Sequence, residues 1–162
     1  MKPSEKADRA PENKLNWILF IIRVVVGGIF LASGFFKLLE APEDFAAAME
    51  AYEILPPALI AIAARVVPWV ELFAGGFLAA GCLTRWAAVI CGGFSSVFFL
   101  LLAATKIRGI SLAECGCFGK LGPHLEPWQT MILDAVLISF SAYLIRQKET
   151  PLALDNWINR GS

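Results

Sequence analysis

The chain has 162 residues, 57% of them apolar and 17% charged, with a mean hydropathy of +0.64 and a formal net charge of zero. Such a composition lies far from the soluble globular average and marks a membrane protein. No basic run is long enough to follow a phosphate backbone, so binding to DNA or RNA finds little support.

Residues 1–14 form a charged N-terminal tail, and the first membrane-length segment, Leu15 to Leu38, follows it. A secretory signal also places basic residues before an apolar run. This run exceeds the ~7–15 residues of such a signal, however, and no small-x-small cleavage site followed by polar chain appears. The segment therefore reads as a retained helix.

The connection Ala41 to Pro56 is acidic, and within it Phe45, Met49, Tyr52 and Leu55 recur at spacings of four, three and three. That stripe predicts a short amphipathic helix on the membrane surface. It either caps the bundle or offers a docking surface to an extracytoplasmic partner.

Three more membrane-length segments complete the chain: Pro57 to Cys82, Trp86 to Thr105 and Trp128 to Ile145, with a C-terminal tail at 146–162. Each is near the ~20 residues that cross a hydrocarbon core as a helix. The expected fold is an all-α bundle of four transmembrane helices over 15–145, with the amphipathic helix between the first two. Outside the spans or at their ends, Lys2, Lys6, Arg9, Lys14, Arg85, Arg146, Lys148 and Arg160 share one side, against Lys37, Lys106, Arg108 and Lys120 on the other. This excess puts both termini in the cytoplasm of a cell with the chain in its inner (plasma) membrane. The long connection after the third span then lies outside, where disulfides persist.

Charges within the spans carry information, because a charge in hydrocarbon costs several kcal/mol unless it is paired or wet. Counted from the inner face, Arg23 and Glu71 lie at a common depth of roughly 12 to 14 Å; counted from the outer face, Arg65 and Asp134 lie roughly 9 to 12 Å deep. Two intramembrane pairs are expected, Arg23 with Glu71 and Arg65 with Asp134. They either fix helix register or, at Arg23 and Glu71, border a proton path or a cavity for a polar head group such as a quinone. Small residues at Gly27, Gly28, Gly34, Gly75, Gly76, Ala79, Gly92, Gly93 and Ser96 suit close helix packing.

The outer connection contains Cys115-Gly-Cys117. Residues two apart in a turn can bring their Cα atoms within disulfide range, and Gly116 tolerates the backbone angles that so small a ring demands. Strained, exposed disulfides exchange readily, so the spacing suits a redox couple better than a structural staple. Lys106, Arg108 and Lys120 could raise the thiolate fraction, Phe118 could anchor the loop in the interface, and Gly119, Gly122 and Pro123 favour turns. A metal site from Cys115, Cys117 and His124 is the chemical rival, but the fourth ligand is missing and the C-x-C spacing is tighter than in structural zinc, so no metal is expected. A purely structural loop is the remaining reading. Cys82 and Cys91 are too deep to resolve the outer pair and read as small buried hydrophobes.

The order of "RVVVGGIFLASGFFKL", "FAAAMEAYEILP", "VPWVELFAGGFLAAG", "CGCFG" and "LDAVLI" resembles the DoxX-like and MauE group of four-helix membrane proteins, over about Leu15 to Ile145. On this resemblance Arg23, Lys37, Pro68, Glu71, Cys115, Cys117 and Asp134 occupy the motif positions. It implies extracytoplasmic thiol redox alongside a thioredoxin-like partner, in MauE for disulfides of the methylamine dehydrogenase small subunit. The vitamin K epoxide reductases, four-helix enzymes of similar function, use C-x-x-C with a second outer cysteine pair and a quinone. One C-x-C pair favours instead a relay link whose partner supplies the other thiols, with Cys115 and Cys117 as the reactive residues. The rival class is non-enzymatic: a scaffold subunit of a larger membrane complex, using the Phe45 to Leu55 stripe and its lipid-facing helices as contacts.

Overall fold

The computed structural model describes the backbone of residues 4–109, 118–119, 122 and 125–147, and side chains from residue 16 onward. Five helices follow one another: α1 Ser4–Leu39, α2 Pro42–Glu50, α3 Pro57–Ala80, α4 Thr84–Ile107 and α5 Pro127–Arg146. The protein is all-helical, with no strand among the described residues. Four stretches are long and apolar enough to cross a membrane, namely Asn16–Leu39, Pro57–Ala80, Thr84–Ile107 and Pro127–Arg146. They fall within two residues, at each end, of the spans read from hydropathy. Helix α1 begins at Ser4, so it starts well before its apolar span.

Local signals fix the helix ends. Pro42, Pro57 and Pro127 each stand in the first turn of their helix, where the missing N–H costs nothing. At the other end of α3, the N–H groups of Gly81 and Cys82 both donate to the Phe77 carbonyl at 2.9 Å, which closes the helix and turns the chain within three residues into α4. Glu126 donates its backbone N–H to the Gln129 side chain at 3.0 Å, satisfying one orphan donor at the start of α5.

Helix α1 packs along α3 and α4 along α5, and the two pairs meet mainly through α3 and α4. The α1–α3 contact is backbone on backbone. A Cβ on Gly27 would lie 2.6 Å from the Ala79 nitrogen, one on Gly34 2.6 Å from the Leu72 nitrogen, and one on Gly75 2.5 Å from the Leu31 nitrogen. No side chain fits there, so these glycines set both spacing and register. Gly92 plays a similar part against Ser141 of α5, whereas Gly28 and Gly93 face open space. Around these seams only 28–39% of each span is buried, which leaves most of its apolar surface to lipid.

Helix α2 lies across the first part of α3. Phe45 and Met49 pack with Ile60 and Ala64, Leu55 joins them, and Tyr52 packs with Leu102. The stripe is thus a buried face that caps the bundle. The alternative reading of these residues, a docking surface for a partner or a larger complex, does not fit, because they pack into the protein's own core.

These contacts separate glycines that differ little in sequence. Gly34→Ala is expected to lower stability by about 1–3 kcal/mol through overpacking. Gly28→Ala should be neutral or stabilise by up to about 1 kcal/mol through helix propensity. Thermal unfolding of both variants in one detergent reads the difference directly, and equal effects would contradict the close approach.

Candidate functional site

In the interior of the bundle, toward the end of α1, three polar side chains from α1 and α3 meet. Lys37 Nζ donates to Glu71 Oε1 at 2.7 Å and to Oε2 at 2.8 Å, and Ser33 Oγ donates to Oε2 at 3.0 Å. Lys37 and Glu71 are each only 2% exposed. The ammonium also lies 4.7 Å from the Phe45 ring centroid and 5.1 Å from that of Phe98, so aromatic faces complete its surroundings. A charge-assisted, doubly bonded pair shielded from water is the form in which an ion pair can persist inside a membrane.

Beside this pair is a small cavity of about 30 Å³, bordered by Glu71 and Ser33, by Ser95 of α4 and by Thr130 and Asp134 of α5. A space of that size holds a water molecule or two. It is too small for a quinone head group. The Ser95 hydroxyl is buried there without a hydrogen-bond partner among the described residues, which suits a water-lined space. Phe118 forms part of the same wall. Next to it Gly119 has a φ of +69° and lies so near Glu40 that a Cβ would come within 2.6 Å of the carboxylate Oε1. The chain just after Cys117 therefore rests on the end of α1 and on the polar cavity.

Neither expected ion pair forms. Glu71 is bonded to Lys37, not Arg23, because Arg23 precedes Ser33 by ten residues and so lies ~15 Å farther along α1. Side chains on a helix lean toward its N-terminus. On the antiparallel α1 and α3, Lys37 and Glu71 lean toward each other, whereas Arg23 and Glu71 lean apart. Arg23 is buried instead with its guanidinium 5.4 Å from the Phe20 ring centroid. The second expected pair fails on direction. Asp134 is buried at the cavity, while Arg65 is exposed on α3 and lines a lipid-facing groove.

Cys115, Cys117, Lys120 and His124 lie outside the described residues. Cys82 is half-buried and Cys91 fully buried, both as free thiols. Among the described residues no group of His, Cys, Asp and Glu could hold a metal ion. Reading by depth missed Lys37 as the partner of Glu71, together with Ser33, Ser95 and Thr130. The signal was present: Arg23, Phe30 and Lys37 recur every seven residues on the buried face of α1, as do Val26 and Ser33.

Curated relatives share part of this chain. The methylamine utilization protein MauE of Paracoccus denitrificans is 27% identical over 124 residues, covering 76% of this chain and 66% of that protein. The MauE protein of Methylophilus methylotrophus is 28% identical over 89 residues, 55% of this chain and 47% of its own length. Protein TlpB of Flavobacterium psychrophilum is 25% identical over 140 residues, 81% of this chain and 37% of its own. The chain thus spans between 37% and 66% of the length of these relatives. No solved structure matches it. The family model described as methylamine utilisation protein MauE matches residues 15–147, from the start of the first span through the whole of α5, and on that match the chain belongs to the MauE family.

Proposed function

We propose that this protein is a membrane thiol–disulfide redox relay, in which Cys115 and Cys117 exchange with a thioredoxin-fold protein outside the cytoplasm. Membership of the MauE family supports a role in the maturation of exported proteins. The excess of Lys and Arg on the side of the termini supports a cytoplasmic location for both ends, in the inner membrane.

The observation that carries the reading is the seat of Phe118, the residue after Cys117, on a buried cavity that holds two carboxylates, Glu71 and Asp134. A thiol must lose its proton to become a nucleophile. A water-sized cavity bordered by carboxylates and by Phe118 supports a route by which that proton leaves and returns to the departing sulfur. In the exchange, one thiolate of the pair attacks a sulfur of the partner's disulfide and the partner's second sulfur leaves. The other cysteine then attacks the mixed disulfide and frees the partner as a dithiol. The pair's two thiols become a disulfide while the partner's disulfide becomes two thiols, so electrons and protons balance, and the reverse flow uses the same steps. Such a link needs no quinone of its own.

Lys37 and Glu71 also stabilise the bundle, and their two roles separate by substitution. Removing only the cation strands a buried carboxylate, so Lys37→Met is expected to cost about 3–5 kcal/mol. The double variant Lys37→Met with Glu71→Leu should recover most of that stability in thermal unfolding, since an apolar pair of similar volume replaces the ions. If the carboxylate serves the thiols, the double variant still exchanges more slowly, on the order of a hundredfold. A stable double variant with undiminished exchange would confine the pair to a structural role.

The relay itself is tested by trapping. Cys117→Ser or Cys115→Ser in native membranes should accumulate a mixed disulfide with an extracytoplasmic thioredoxin-fold protein, resolved by reductant and identified by mass spectrometry. If both single variants trap nothing, and alkylation mapping finds the wild-type pair permanently locked and inert to mild reductant, the relay is wrong.

A further inference from the structure

The outward face of α3 carries a feature that the thiol chemistry does not use. Arg65, Trp69, Phe73 and Phe77 follow one another at intervals of four, forming one exposed stripe. The three rings run in parallel along the helix, with centroids 6.1 Å apart from Trp69 to Phe73 and 6.4 Å from Phe73 to Phe77. Opposite them, Trp86 and Ile90 of α4 form the second wall of a groove of about 440 Å³. Among the described residues Arg65 is its only charged lining residue, and it makes no ion pair with any of them.

A cation in this position requires an anion. Arg65 is eight residues from the start of α3 and therefore ~12 Å from its end, within the thickness of a bilayer. Its long stem can carry the guanidinium toward the head groups, where a phosphate offers the bidentate geometry that arginine matches. From Arg65 to Phe77 the groove runs twelve residues, ~18 Å, so its far end lies ~30 Å from the start of α3, and an acyl chain of the leaflet nearer α2 follows only its first part, past Trp69 toward Phe73.

We infer that the groove between α3 and α4 is a binding site for one anionic phospholipid from the leaflet nearer α2, with its phosphate on Arg65 and an acyl chain passing Trp69 toward Phe73. A neutral isoprenoid would fill the apolar part and leave the charge unmatched. The site is independent of the thiol pair, so it holds whether or not the relay does.

Native mass spectrometry of the full chain, released from nanodiscs of equimolar phosphatidylglycerol and phosphatidylcholine, tests the assignment. The protein should retain one phosphatidylglycerol in about tenfold preference, as expected for one charge-assisted contact. Arg65→Gln should abolish the preference with an unchanged melting temperature, and Arg65→Lys should keep part of it. With acyl-brominated lipids, tryptophan quenching should be stronger from phosphatidylglycerol, and Trp69→Phe should reduce that difference. Equal retention of the two lipids, a neutral isoprenoid bound in their place, or dimers that exclude lipid from the groove would each overturn the proposal.

Discussion

The contact on which the rest of the structure depends is the backbone-to-backbone seam between α1 and α3. Gly27, Gly34 and Gly75 bring the two helices together with no side chain between them. In a membrane, where lipid tails are as apolar as any side chain, such close packing is a main source of helix association. It also leaves no freedom in register. With Gly34 held against Leu72 and the carbonyl of Pro68, Ser33 and Lys37 fall opposite Glu71, and the antiparallel arrangement makes their side chains converge. A slip of one helical turn would separate the cation from its carboxylate and leave both buried. Seam and ion pair therefore specify the same alignment, one through sterics and the other through charge.

Once formed, the pair determines what must surround it. A lysine and a glutamate in hydrocarbon tolerate water only at selected points, and the neighbours divide accordingly. Phe45 and Phe98 cover the ammonium, while the small hydroxyls of Ser33, Ser95 and Thr130 border the carboxylate and the cavity. Phe45 comes from α2, so this short helix is held by a cation–π contact at the centre as well as by its own apolar stripe. Covering α3 and closing the charged centre are the same packing event. For that reason the stripe of α2 is not available to another protein.

Much of this was legible in the sequence because hydropathy, proline and periodicity act locally. The four spans and the short helix follow from runs of apolar residues, from prolines at helix starts and from the spacing of Phe45, Met49, Tyr52 and Leu55. The intramembrane charges could likewise be recognised as informative, and Glu71 and Asp134 do reach the polar cavity. Their partners were not legible from depth alone. Pairing needs azimuth and lean as well as depth, and these depend on which helices neighbour each other and in which direction they run. Arg65 shows the difference. Six residues separate it from Glu71, which places the two roughly 120° apart around α3. One faces the bundle and the other cannot.

Helix α3 thus carries opposite charges on different faces, and each is met by different chemistry. Glu71 turns inward to a lysine from the same chain at 2.7 Å, in a centre sealed by aromatic rings. Arg65 turns outward to the groove, where the protein supplies only apolar walls. An uncompensated charge in a membrane is unfavourable on either face, so the two sites obey one rule with compensation drawn from different sources. The inner site is complete within the fold, which allows it to hold a fixed geometry beneath the chain that follows the cysteines. The outer site is incomplete until the bilayer contributes, which makes the seam between the two helix pairs sensitive to lipid composition. Because α3 lines both, occupancy of the groove bears on the same helix that positions Glu71, and the membrane becomes part of what holds the polar centre in place.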